Sequence, residues 1–344
     1  FPNDASASLS TQWLGSVPYD DDALPLFKPD GSLLAVRVGV PPTEALMTGR
    51  SSTNVAPIAR IAVHALAPDV PRLYTIDGRY LLGRGVCEEG FLIEEPRKDG
   101  SRRIGLVEWA SGDIEWLVDN AFVNAFADIA ENGTLVYARR AVGSEPFELV
   151  LERHGTTTVF PSEWERSWID PVLSPDGSTL FVLRLGDGTL ELGWKRLLAD
   201  LTPDATIHTR PISDRVNARI AHQALAAQPG LEASPPTPRA CLIFRHPDLN
   251  RLVVWTPHDD LVRPFPAGVV AATMLDSTHA VVTHGQRVVL ITLPTEAGRS
   301  PRSLTLLEEF CIPRRNGVDR DSVLLLQPRD GRYELTRLDL LDVR

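Results

Sequence analysis

The sequence predicts an all-β fold built from a repeated antiparallel unit, and three observations carry that prediction. The first is a recurrent hairpin. Pro171-Val-Leu-Ser-Pro-Asp-Gly-Ser-Thr-Leu-Phe-Val-Leu-Arg184 places a tight corner between two apolar runs. Pro175 presets φ near −65°, and Asp176-Gly177 tolerates φ > 0, so the runs fold back on each other. A close copy spans Leu24–Arg37 around Lys28-Pro-Asp-Gly31, and a looser one spans Phe126–Arg139 around Glu131-Asn-Gly133. The second observation is that apolar runs are short, rich in β-formers and bounded by turn residues, with almost no helical spacing. The third is that these runs fall into groups of four.

Taken in order, residues 1–10 form a polar, linker-like lead, and Thr11–Ser16 is the first strand candidate. The groups follow. The first is Leu24–Pro29, Leu33–Gly39, Ala59–Leu66 and Arg72–Ile76, and the second is Arg79–Val86, Phe91–Glu95, Arg102–Trp109 and Asp113–Val118. The third is Val123–Ile129, Thr134–Arg139, Phe147–Glu152 and Thr156–Phe160; the fourth is Trp168–Leu173, Thr179–Leu185, Leu190–Trp194 and Thr206–Pro211. The fifth is Ala218–Leu225, Ala240–His246, Arg251–Thr256 and Leu261–Pro266, and the sixth is Val269–Leu275, His279–Thr283, Arg287–Leu293 and Ser303–Phe310. The seventh has a weak strand near Cys311, then Ser322–Gln327 and Tyr333–Leu340, and lacks a fourth member.

Second strands start near residues 33, 91, 134, 179, 240, 279 and 322, so the steps are 58, 43, 45, 61, 39 and 43 residues. The short steps match the ~40–50 residues of a four-stranded propeller blade. Each long step holds an insertion, at residues 41–57 and 197–238, the second with a helix expected near Asp214–Gln228. The prediction is therefore a β-propeller of seven four-stranded blades, with six as the alternative count, occupying residues 11–344 as one domain. Thr11–Ser16 is expected to close the last blade and to bury Trp13 and Leu14, each side chain contributing about 1.5–3 kcal/mol.

Ser174-Pro-Asp-Gly177 and Lys28-Pro-Asp-Gly31, each followed by an apolar strand, resemble the repeat of TolB-like (PD40) and WD40-like β-propeller proteins. TolB-type rings have six blades, and the Gly-His and Trp-Asp pairs of WD40 repeats are missing here. The resemblance implies a disc with a central channel. Such proteins bind proteins or peptides, or cover the active site of a separate hydrolase domain.

Composition narrows the partners. The net charge is −10 with no basic stripe, which argues against nucleic acid, and no apolar run approaches the ~20 residues of a membrane span. Only Lys28, Lys98 and Lys195 are lysines, an arginine bias that reads as genome composition. Cys87, Cys241 and Cys311 have no metal-like spacing and read as buried free thiols. The chain starts at Phe1, which fits removal of an upstream leader and an extracytoplasmic (periplasmic or secreted) bacterial protein.

No motif for catalysis emerges. There is no Gly-x-Ser-x-Gly elbow, no P-loop and no His-Glu-x-x-His, and Asp176-Gly177 lacks the spacing of a sialidase Asp box. Gly49-Arg-Ser-Ser-Thr53 reads as a polar loop. His222, His246, His258, His279 and His284, with Asp248, Asp259 and Asp260, fit no ligand spacing and read as loop residues, as do Asp20–Asp22 and Asp319 with Asp321. The tryptophans read as packing between blades. Trp164 and Trp168, in the loop Pro161–Asp170, also form a candidate partner-binding rim, joined by His246 and His258. The sequence thus predicts no catalytic residue, cofactor or metal. It predicts a recognition or scaffold module with a protein or peptide partner. The alternatives are a propeller-type hydrolase or lyase acting on glycans or peptides at the channel mouth, and a regulatory propeller of a larger polypeptide.

Overall fold

Each recurrent turn is closed by its own side chains. The Asp176 carboxylate accepts hydrogen bonds from Ser178 N at 3.0 Å, Ser178 Oγ at 2.9 Å and Ser174 Oγ at 2.6 Å. Gly177 sits at φ 66°, a value its missing Cβ allows. The same device recurs with Asp30 accepting from Ser32 N at 2.8 Å, and with Asn132 accepting from Thr134 N at 3.0 Å. A further copy, Asp99 with Ser101 N at 2.9 Å, closes the next hairpin along. A computed structural model describes residues 10–18, 25–38, 59–144, 146–162, 166–186, 188–197, 206–213, 226–231, 239–246, 249–256, 261–275, 278–293, 302–316 and 319–340. All regular structure among them is strand.

The chain divides into two compact units. Pro18–Val216 begins with a four-stranded sheet of β2 (Leu26–Phe27), β3 (Leu33–Val38), β4 (Ala59–Ala65) and β5 (Arg72–Gly78). Next come two meanders: β6 (Leu81–Val86), β7 (Gly90–Pro96), β8 (Arg102–Glu108) and β9 (Ile114–Val118), then β10 (Phe122–Ile129), β11 (Leu135–Ala141), β12 (Glu148–Arg153) and β13 (Thr156–Phe160). A four-stranded sheet of β14 (Ser167–Leu173), β15 (Thr179–Gly186), β16 (Thr189–Arg196) and β17 (His208–Ser213) ends this unit.

The other unit joins Phe1–Val17 to Asn217–Arg344. It contains β18 (Ala226–Leu231), β19 (Arg239–His246), β20 (Arg251–Thr256) and β21 (Leu261–Pro264) as one four-stranded sheet. Then come β22 (Val269–Met274), β23 (His279–His284), β24 (Arg287–Thr292) and β25 (Arg302–Leu307). The last sheet runs β1-β28-β27-β26, with β1 at Ser10–Pro18, β26 at Ile312–Asn316, β27 at Asp319–Arg329 and β28 at Arg332–Asp339. The first strand does complete the final sheet. Arg332 pins it, its guanidinium donating to Ser16 Oγ at 2.8 Å and to Ser16 O at 2.9 Å.

Second strands read as continuous apolar runs because both faces are covered. The β15 pattern begins with five buried residues in succession, and β23 and β24 each hold four. The core lies between successive sheets as separate layers. Phe91, Ile93 and Val107 of the second group pack with Ala35, Ile61 and Val63 of the first. Val136, Leu149 and Leu151 pack with Leu180 and Val182. Ile243 and Val254 pack with Val282 and Ile291, and Val281 and Leu290 with Val323 and Leu325. Where β6 meets β10, only glycine fits. A methyl group on Gly85 of β6 would lie 2.6 Å from the backbone nitrogen of Ile129 in β10. Gly85→Ala is therefore expected to destabilise the fold by about 2 kcal/mol, read as a lower urea midpoint at unchanged slope.

Several expectations are corrected. Five separate four-stranded sheets stand where seven blades, or six, were expected, because the second and third groups merge into one eight-stranded sheet. The join is a single parallel pairing of Val123 in β10 with Arg102 in β8. Asn124 Nδ2 holds it by donating to Arg102 O at 2.7 Å, across a link of only residues 119–121. Residues 226–228, expected at the end of a helix, lie in β18, where they pair with Cys241–Ile243; residues 214–225 lie outside the described residues. The strand expected at Ala218–Leu225 falls in that same gap, and β18 pairs with β19 instead. Leu14 is buried as expected, but Trp13 is 58% exposed, since β1 pairs only with β28 at the edge of its sheet. The three cysteines are free and buried.

Candidate functional site

The first strands of the second, third and fourth groups share an irregularity. Pairing breaks between Leu82 and Val86 in β6, between Ala125 and Asp128 in β10, and between Ile169 and Val172 in β14. Phe126 and Asp170 take up the irregularity at φ 59° and 50°, a region costly for residues with a Cβ and one where bulges re-aim side chains. The result is a buried array of charges. Arg84, flanked by Gly83 and Gly85, donates to Asp170 Oδ1 at 2.8 Å, and the Asp170 side chain is fully buried. Glu94 of β7 accepts from Ala127 N of β10 at 3.2 Å and pairs with Arg102 at 2.7 Å. Asp128 accepts from Leu173 N of β14 at 2.7 Å and from Ile129 N at 3.0 Å. Burial pushes the Asp128 carboxyl up to about 6, against the pull of those two N–H groups and of Arg84.

A second row of contacts links turns of neighbouring sheets. Lys28 pairs with Glu88 at 3.4 Å, Glu131 N donates to Pro175 O at 2.9 Å, and Asn132 Nδ2 donates to Asp176 O at 3.1 Å. Burial, then Glu88 and Asp176, raises the Glu131 carboxyl. The row carries the Asp/Asn-Gly corners of the first, third and fourth groups and the Glu88-Glu89-Gly90 turn of the second.

Two clefts open in this unit. The larger, of about 400 Å³, has a floor of Leu106, Leu117, Ile129 and Leu135. Its rim carries Glu89, Glu152, Arg153 and His154. Glu152 accepts from Tyr137 OH at 2.8 Å, which holds its carboxylate in place. Cys87 also lines the cleft, but burial pushes its thiol up to about 11, so it is no nucleophile at neutral pH. The smaller cleft, of about 300 Å³, shares Leu106 and Glu89 and is lined further by Glu108, Asp113, Ile114 and Glu115.

Trp168 is buried in the core with Val136, Leu149 and Phe160. Its indole N–H donates to Pro161 O at 3.1 Å, and the Arg184 guanidinium lies 5.2 Å from its ring centre. His246 ends β19 in the other unit, half-buried, with its ring stacked on Phe244 at 6.2 Å. Trp164 and His258 lie outside the described residues. Trp109 and Trp255 are core residues at 3% and 1% exposure. Among the described residues no group of His, Cys, Asp and Glu is placed to hold a metal ion. Sequence reasoning missed the charged array and the clefts. The array did leave a trace, an acid embedded in an apolar strand at Ala127-Asp128-Ile129 and at Ile169-Asp170-Pro171.

No family model matches this chain, and no curated protein does. Solved structures do. The Cps50 (Swd1) β-propeller domain of Myceliophteria thermophila aligns over 97% of this chain and 100% of its own, at 11% identity and a TM-score of 0.53. TolB from Acinetobacter baumannii aligns over 54% of this chain at 17% identity and a TM-score of 0.37. Prolyl oligopeptidase B from Galerina marginata aligns over 89% at 15% identity and a TM-score of 0.47. The chain spans less than half of these last two, 42% and 44% of their lengths. The expected propeller architecture is thus met at the level of fold by the Cps50 (Swd1) alignment: this chain is an all-β propeller.

Proposed function

We propose that the chain is a non-catalytic propeller module that recognises a protein or peptide partner. The observation that carries this reading is the open cleft of about 400 Å³, which has an apolar floor and fixed rim charges, and whose one thiol is inert. Such a surface suits binding better than covalent chemistry. The interlocked turns beside it supply rigidity, so ordering costs little when a partner docks. Within this reading residues 11–344 form one domain. Partner contact falls to the two sequence insertions, residues 41–57 and, within 197–238, residues 214–225, which lie outside the described residues. Trp164, His246 and His258 stay candidate partner contacts in this reading, Trp164 and His258 lying outside the described residues. Trp168 is itself a core residue whose indole N–H donates to Pro161 O, and so serves structure and not direct contact. An extracytoplasmic location, periplasmic or secreted, in a bacterium belongs to this proposal, on the strength of the Pro-Asp-Gly repeat. Among the described residues no helix is long and apolar enough to cross a membrane.

The test begins with crosslinking of the intact chain in an extract of its source, followed by binding of the purified partner. One partner is expected to bind saturably, and to bind at least tenfold more weakly when residues 41–57 and 214–225 are replaced by Gly-Ser linkers. Turnover of peptide, ester or glycoside substrates by the purified chain would overturn the reading.

A further inference from the structure

The two clefts adjoin: Leu106 and Glu89 line both, so an apolar cleft and an acidic one lie side by side. The two halves differ in chemistry. The larger presents four apolar side chains at its base, a form that takes a single buried anchor residue. The smaller presents Glu89, Glu108, Asp113 and Glu115, all exposed, with no Lys or Arg in its lining. Glu108 is held by Ser111 Oγ at 2.6 Å, which orders one of these carboxylates. The lining of the larger cleft also carries Glu152, Arg153 and His154, so it is mixed in charge where the smaller is purely acidic.

We infer that this groove docks a peptide segment of a partner protein, with one aliphatic side chain in the apolar half and one or two Arg or Lys residues directly beside it. This inference rests on the recognition reading and names the chemistry of its partner. Charge complementarity selects the occupant. Nucleic acids and anionic membranes are repelled by the four carboxylates, and a second copy of this chain, itself at net charge −10, is disfavoured by overall like-charge repulsion. An aliphatic anchor alone would leave the acidic half unused. A basic residue alone would leave the apolar floor wet.

The probe is a blocked hexapeptide, Gly-Ser-Leu-Arg-Arg-Gly, compared with its Leu-Glu-Glu and Ala-Arg-Arg counterparts by calorimetry and amide chemical shifts on the intact chain. Saturable binding of the Leu-Arg-Arg peptide is expected, at least tenfold tighter than either counterpart, with shifts centred on residues 106–117 and 153–157. The exposed charge reversal Glu89→Arg with Glu115→Arg should weaken it at least tenfold. The milder pair Asp113→Asn with Glu115→Gln should weaken it threefold or more, and 300 mM salt should weaken the wild type likewise. Equal binding of the Leu-Glu-Glu peptide, binding insensitive to both charge variants, or no saturable binding of the Leu-Arg-Arg peptide would overturn the inference. If the peptides fail while the purified partner still binds, only this groove assignment falls. If the peptides bind and no partner is retained, the recognition reading falls instead.

Discussion

Arg84→Ala is expected to lower the unfolding free energy by about 3 kcal/mol. Arg84 reaches from β6 to Asp170 in β14, past the intervening strand β10, and the carboxylate it meets is fully buried. Removing one member of a buried pair leaves the other's charge in a poor solvent, which costs about 3–5 kcal/mol. The lower end applies here because the Arg84 side chain keeps 36% of its surface in water. Urea unfolding checks this directly. Arg84→Met combined with Asp170→Leu should cost less than Arg84→Ala alone, because the stranded charge is then gone. If Arg84→Ala stayed within about 0.5 kcal/mol of wild type, the array would be ornament and not a clasp.

The second large effect is a dependence on pH. The Asp128 carboxyl stands at about 6 in the folded chain against its ordinary 3.8, so the folded state holds this proton more tightly than the unfolded state. A carboxyl raised in this way contributes stability that is fully present below pH 3.8 and is lost as pH rises through 6. The difference corresponds to about 3 kcal/mol. The charged group that acts on Asp128 is Arg84 from β6, which pulls the carboxyl down against burial. Asp128→Asn should therefore flatten the pH profile of stability between pH 4 and 6.5 relative to wild type. It will also carry a constant offset, because its amide nitrogen cannot accept from Leu173 N. Parallel profiles for the two proteins would show that Asp128 does not titrate in this range.

These groups show what a sequence conceals. The recurrent corners were legible because a Pro, an Asp or Asn, and a Gly act within four residues of one another. Second strands were legible because an apolar run with no alternation has few other uses. Even the role of Thr11–Ser16 followed, from a group with one strand too few. The charged array was not legible, because its links join residues 86, 45 and 33 positions apart. Such pairings depend on which sheets become neighbours. The blade count failed for a smaller reason, a side-chain amide on Asn124 that extends pairing across a boundary. Residues 226–228 were misread because alanine and glutamine favour helices, while a waiting edge on β19 outweighs that preference.

The bonds from Arg332 to Ser16 span 316 residues of chain. During synthesis on a ribosome, β1 emerges well before β28 and waits for those 316 residues before its partner exists to receive it. Until that meeting, two strand edges stay open to other molecules, and closing so long a loop is slow. Maturation should thus end in a distinct late step, one that a chaperone could guard and that a nascent chain could miss by taking the first strand of a neighbour.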